Sequence, residues 1–130
     1  MTINEIIDEF SFYIKSTPKV NKKRFENKYR NMIDKILANT SFTVVEWKNE
    51  KDFISFFVKD SYTNRLMYIF VTNIDIDKFG WRDRLLIRTA NNTHHFVGKP
   101  WFYTTLNDLV KGLNNLNIVY NQSNYKTVLI

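Results

Sequence analysis

The sequence has no cysteine and little glycine, and each of these absences excludes a class of site. Without cysteine the chain has no disulfide, no thiolate metal ligand and no cysteine nucleophile. The three glycines stand far apart, so they cannot form a glycine-rich loop around a phosphate. No apolar run approaches the roughly 20 residues of a membrane span, and the N-terminus does not have the pattern of a signal peptide. We therefore expect a cytoplasmic protein that makes no membrane contact.

Aromatic side chains and positive charge are what the chain has in excess. Aromatic residues make up 16% and hydrophobic residues 44% of the 130 positions, which indicates a folded domain whose core is packed with rings. The net charge is +6, and positions 15–35 carry it: this segment holds eight Lys or Arg against two acids. Such a concentration favours a polyanionic partner, either nucleic acid or an acidic protein surface, although charge also serves solubility.

The hydrophobic periodicity changes from helical to extended and back along the chain. Apolar residues recur at helical spacing over 2–15 and 21–38. They then alternate, as in strands, over 42–48, 53–59, 65–73 and 79–90. Helical spacing returns after a Thr105–Asp108 capping pair. Short polar connections between the four strands predict an antiparallel meander, while 91–103 reads as irregular. The predicted fold is a single α+β domain in the order ααββββα. Its parts are a helical region over 1–39, the sheet over 42–89, a helix over 105–116 and a tail over 117–130.

The last predicted strand, 79–90, has two unlike faces. Side chains alternate along a strand, so the guanidiniums of Arg82, Arg84 and Arg88 share one face, opposite Leu85 and Ile87. A one-residue slip would bury the arginines, which fixes the register. Arginines on a sheet suit bidentate contacts to phosphate or carboxylate, and nearby aromatics can stack on bases. The alternative is that they occupy the solvated face of the sheet.

These features predict a small non-catalytic protein that binds nucleic acid through the second helix and the arginine strand. A helix-turn-helix is a weaker interpretation of the two N-terminal helices, because a proline-containing linker joins them. The sequence leaves open whether the second helix and the arginine strand share a face. The predicted binding residues are Lys22, Lys23, Arg24, Lys28, Arg30, Arg82, Arg84, Arg88, Trp101 and Tyr103.

The first alternative is a protein-interaction module. The second and third strands are apolar on both faces, and the cluster 101–103 adds further aromatic surface. Such a module, for example an inhibitor carried by a mobile genetic element, would cover the acidic or nucleic-acid-binding surface of a larger enzyme, or form a homodimer.

The second alternative is a metal-dependent nuclease. Glu46 and Lys48 match the E-x-K part of such a site, in which the acid binds the metal and the lysine supports an activated water. The pattern is short and lacks an acid from a preceding strand. Asp75 with Asp77 predicts a solvated turn, and His94-His95 is an adjacent pair whose side chains point apart. We therefore predict no catalytic residue, no metal site and no cofactor.

Overall fold

The computed structural model describes residues 1–17, 22–49, 53–71 and 84–122. Within these ranges the chain forms three helices and five strands. These are α1 (Ile3–Ser16), α2 (Lys22–Leu37), β1 (Phe42–Asn49), β2 (Ile54–Asp60), β3 (Leu66–Val71), β4 (Leu85–Ala90), β5 (Trp101–Thr104) and α3 (Leu109–Gln122). No helix of this described part is long and apolar enough to cross a membrane.

The N-terminal helices begin and end where local chemistry sets their limits. Thr2 and Glu5 form a capping box before α1, since each side chain accepts a hydrogen bond from the backbone N–H of the other residue. The bonds from Thr2 also lower the pKa of the Glu5 carboxyl. After α2, Asn39 takes a left-handed conformation with φ of 63°, which stops the helix in the manner of a C-terminal cap.

The five strands form one antiparallel sheet in the order β1-β2-β3-β4-β5. Every strand pairs with its neighbour in sequence, so the sheet is a meander. The predicted α+β class and antiparallel pairing are therefore confirmed. Successive side chains project from opposite faces, and both faces of β2 and β3 are largely buried, as their apolar sequences require.

Helices α2 and α3 pack on one face of this sheet, which we call the helix face, and α1 packs against α2. Phe56 of β2, Ile69 of β3 and Ile87 of β4 join the buried side chains of all three helices in one core. The fit is closest at Gly112 of α3, where an added Cβ would lie 3.0 Å from Thr104 Oγ and 3.2 Å from Ile87 Cδ1. We call the opposite side of the sheet the far face.

The prediction of four strands was wrong by one, because the irregular segment predicted over 91–103 contains β5. Residues Trp101–Thr104 pair with Leu85–Arg88, and this pairing extends the meander. Gly98 and Pro100 suggested a loop, but the aromatic and β-branched residues that follow are strong strand formers. The part of the predicted last strand over 79–83 lies outside the described residues.

The predicted C-terminal helix of 105–116 was wrong at both ends. Thr105 and Asp108 do hydrogen-bond to each other, but they form a turn immediately before α3 begins at Leu109. The helix then continues to Gln122 through asparagines that the sequence pattern assigned to a tail. Asparagine favours helix weakly. Asn117 and Asn121 are nevertheless held in the helix by side-chain bonds to Arg65, so tertiary contact overrides local propensity.

Candidate functional site

The far face carries two rows of directly opposed side chains that cross all five strands. Residues opposite each other in an antiparallel ladder have Cβ atoms about 4.5–5.5 Å apart. One row is Glu46, Phe57, Tyr68, Arg88 and Trp101, and the other is Lys48, Ser55, Phe70, Leu86 and Tyr103. The pairing of β5 with β4 thus places Trp101 beside Arg88.

Four of the residues predicted to bind a partner meet at the β4–β5 end of the far face. We call Arg84, Arg88, Trp101 and Tyr103 the arginine–aromatic patch. The Arg84 guanidinium carbon lies 3.9 Å from the centre of the Tyr103 ring, a close cation–π contact. Trp101 packs edge-to-face against Tyr103, with ring centres 6.0 Å apart and an interplanar angle of 88°. The two rings remain 46% and 48% exposed.

Arg88 is the less exposed of the two arginines, and the segment between β4 and β5 helps to hold it. Its Nε donates to the backbone carbonyl of Gly98 over 3.4 Å, and the Gly98 N–H donates to the Thr89 carbonyl. Thr89 Oγ1 in turn donates to the Lys99 carbonyl over 3.0 Å. These bonds fasten the segment alongside β4 next to the patch.

An aromatic cluster closes the centre of the far face beside the patch. Phe96 lies on Phe57 and Tyr68, with ring centres 5.6 Å and 4.5 Å away, and both of those residues are buried. The ammonium of Lys48 lies 4.8 Å from the Phe96 ring centre. The centre of this face is therefore filled by the protein's own rings, while the rings of the arginine–aromatic patch stay half exposed.

The stretch of sequence that contains the patch carries charge of one sign. From Arg84 to Asn107 the chain has three Lys or Arg residues and no Asp or Glu. The third cation, Lys99, is exposed in the segment that Arg88 anchors. A stretch that carries cations and no carboxylate of its own has a local excess of positive charge, which attracts anions.

The cations of α2 lie on the other side of the sheet from this patch. Arg30 lies over Trp47, 5.2 Å from the ring centre, and Trp47 is opposite Phe56 on the helix face. The predicted binding residues of α2 and β4 therefore do not form one continuous surface. Arg82 lies outside the described residues.

Several cations of α2 also have partners within the fold. Lys22 lies 3.8 Å from Glu26, and Lys28 lies over the ring of Tyr13 in α1. Lys23 and Arg24 are exposed. A groove of about 510 Å³ runs between α1 and α2, but both signs of charge line it, including Lys28, Lys35, Glu9 and Asp34. This mixture gives the groove little preference for a polyanion.

Glu46 and Lys48 project from the same face of β1, as the E-x-K pattern requires. Lys48 nevertheless stacks on aromatic rings, and Glu46 is exposed at the end of its row. Within the described ranges no group of three His, Asp or Glu residues could hold a metal ion. Asp75 and Asp77 lie outside those ranges. His94 and His95 are exposed in a turn, where their backbone N–H groups donate to the Asn92 side chain.

Sequence reasoning missed Phe96 and Lys99 as neighbours of the patch. It also missed β5 itself. The sequence signal for β5 was the W-F-Y-T stretch, whose alternation puts Trp101 and Tyr103 on one face of a strand. Comparison of the chain with protein-family models, with curated proteins and with solved structures finds no match. The geometry and charge of the patch are therefore the grounds for assigning a function to this protein.

Proposed function

We propose that this protein binds nucleic acid through the arginine–aromatic patch and does not catalyse a reaction on it. The observation that carries the proposal is the grouping of two arginines, one exposed and one half-buried, with two half-exposed aromatic rings on one face of β4 and β5. Guanidiniums pair with phosphate through bidentate hydrogen bonds, and aromatic rings stack on bases. The proposal includes a cytoplasmic location, where both DNA and RNA are available as partners.

The charge distribution supports this proposal. The net charge of +6 attracts a polyanion at long range, and the run from Arg84 to Asn107 adds local positive charge without a carboxylate. Because the cations of α2 lie on the opposite face, we assign them a steering role. They would increase the rate of encounter while the patch makes the contacts.

Fluorescence anisotropy with labelled DNA and RNA oligonucleotides tests this function directly. We expect binding at low salt that weakens steeply as salt rises, because phosphate contacts release condensed counterions. Absence of binding to every oligonucleotide at 20 mM salt would overturn the proposal. An affinity that does not change with salt would also overturn it.

A protein partner is the second candidate, and the position of β5 favours it. In the described sheet β5 has a paired strand on one side only. An exposed strand edge can accept an extended segment of another chain, and the adjacent patch would suit acidic side chains in that segment. Homodimerisation through this edge is the simplest form of this function. Analytical ultracentrifugation tests it, since a monomer at 100 µM would exclude a dimer of useful affinity.

A further inference from the structure

We propose that the ligand of the arginine–aromatic patch is a single strand, with a base stacked on Trp101 and a phosphate held by Arg84. This inference rests on the proposed nucleic-acid function and specifies the class of nucleic acid. DNA and RNA single strands share the chemistry that it uses. The Tyr103 ring packs against the Arg84 guanidinium, with 3.9 Å from the ring centre to the guanidinium carbon.

Trp101 has the exposure and the contacts that base stacking requires. Nearly half of its surface is accessible, and its described ring contact with Tyr103 is edge-to-face. The β4–β5 ladder fixes the backbone of Trp101 opposite Arg88, and the indole packs against Tyr103. A ring that is already ordered loses little entropy on binding, so its π surface is available at low cost.

Arg84 and Tyr103 supply the phosphate contact. A guanidinium stacks through its faces but hydrogen-bonds in its plane, so packing on a ring and binding a phosphate use different parts of the same group. The Arg84 guanidinium carbon lies 3.9 Å from the centre of the Tyr103 ring, and that ring separates it from Trp101, whose ring centre is 6.0 Å from the Tyr103 centre. A base and its neighbouring phosphate can therefore be bound by two side chains that share Tyr103 as a common neighbour.

The position of the patch on the face of a sheet argues against a duplex as the ligand. Bases in a double helix are stacked on one another, so a ring on a sheet surface reaches them only after the duplex opens. Reading a groove needs an element that projects into it, such as a helix or a β-ribbon. Trp101 and Tyr103 project from the face of a sheet. A duplex would offer this surface its phosphates alone and would leave Trp101 without a role.

The test compares four fluorescein-labelled probes of equal length: single-stranded DNA, single-stranded RNA, duplex DNA and an abasic strand that keeps the phosphates without the bases. For the wild-type protein we expect single strands to bind at least ~10-fold more tightly than duplex or abasic probes. Trp101→Leu should weaken single-strand binding by about 10-fold and leave abasic binding unchanged. Trp101→Phe, which retains an aromatic ring, should restore most of the affinity.

Tyr62→Leu is the matched control, because Tyr62 is an aromatic residue that is 89% exposed in the turn after β2. Its substitution should leave the binding of all four probes unchanged. Two outcomes would overturn this inference and leave the proposed function standing. One is duplex binding as tight as single-strand binding. The other is a Trp101→Leu variant that loses as much affinity for the abasic probe as for the single strands. Absence of binding to every probe would overturn both. Circular dichroism of each variant checks that the fold is kept.

Discussion

The side-chain amide of Asn117 in α3 donates a hydrogen bond to the Asp60 carboxylate at the end of β2, over 2.6 Å. The same Asn117 accepts a bond from Arg65, whose second arm reaches Asn121. Arg65 also lies over the ring of Tyr120, 3.9 Å from its centre. These contacts join the last turns of α3 to the β2–β3 turn, so they fix the helix that lies behind β4 and β5.

Replacing Asp60 should destabilise the protein, because its carboxylate is the centre of this network. Asp60 is buried and also accepts bonds from the Tyr62 N–H and the Thr63 hydroxyl. A hydrogen bond to a charged group contributes about 1.5–3 kcal/mol, so we expect Asp60→Asn to lower the free energy of unfolding by about that amount. Urea denaturation measures it. Asp34→Asn, at an exposed position of α2, is the control and should change little.

The stability that Asp60 contributes should depend on pH in the acid range. Burial raises the pKa of this carboxyl, but the hydrogen bonds from Tyr62, Ser41, Thr63 and Asn117 outweigh burial and hold the pKa below its usual value of 3.8. A lowered folded-state pKa means that the stabilisation is complete above the unfolded-state value and is lost as pH falls through the folded-state value. The difference in unfolding free energy between wild type and Asp60→Asn should therefore be constant at about pH 5–7 and shrink below about pH 4. A difference that is unchanged at about pH 2.5 would contradict this.

Two glycines should respond differently to alanine. At Gly98 an added Cβ would lie 2.7 Å from the Thr89 carbonyl oxygen, so the backbone must move. We expect Gly98→Ala to cost about 1–3 kcal/mol of stability and to disturb Arg88, which donates to the Gly98 carbonyl. At Gly112 the tightest contact is 3.0 Å, with the Thr104 side chain, and alanine favours helix by about 1 kcal/mol. Thermal melts should therefore show the larger loss for Gly98→Ala; the reverse order would contradict the described packing.

The sequence predicts the fold well where one pattern dominates. The alternation of Leu85, Ile87 and Thr89 with Leu86 and Arg88 appears directly as buried and half-buried residues along β4. The Thr2–Glu5 capping box likewise has the T-x-x-E spacing that such boxes show in sequence. Both features depend on neighbours in sequence, which is why local periodicity finds them.

The candidate site was harder to predict because it depends on which strands pair. Trp101 and Tyr103 were expected in an irregular segment, and only pairing with β4 places them beside Arg88 and Leu86. The separation of α2 from the arginines is also a property of the assembled sheet. Charge on the second helix and charge on the strand look alike in the sequence, since nothing local records the face on which an element packs.

A nuclease assay should leave nucleic acid intact. Lys48 stacks on Phe96 and Phe57, and in the described part of the chain no three potential ligands converge at Glu46. We expect wild-type protein to leave plasmid DNA uncut after incubation with Mg²⁺ or Mn²⁺. Metal-dependent cleavage that is lost in Glu46→Ala and kept in Glu5→Ala would establish the nuclease and refute this expectation.

Removing charge from each side of the sheet should identify the face that contacts the ligand. Two double variants remove the same charge from opposite faces of the sheet. One combines Arg84→Gln with Arg88→Gln, and the other combines Lys23→Gln with Arg24→Gln on α2. Each lost phosphate contact on a single strand should reduce the slope of log affinity against log salt by about 0.7. We expect the arginine pair to lower this slope and the α2 pair to leave it nearly unchanged near 0.15 M salt, where charges more than about 8 Å away are screened. Equal reductions would mean that both faces contact nucleic acid; a reduction for the α2 pair alone would move the binding site to α2.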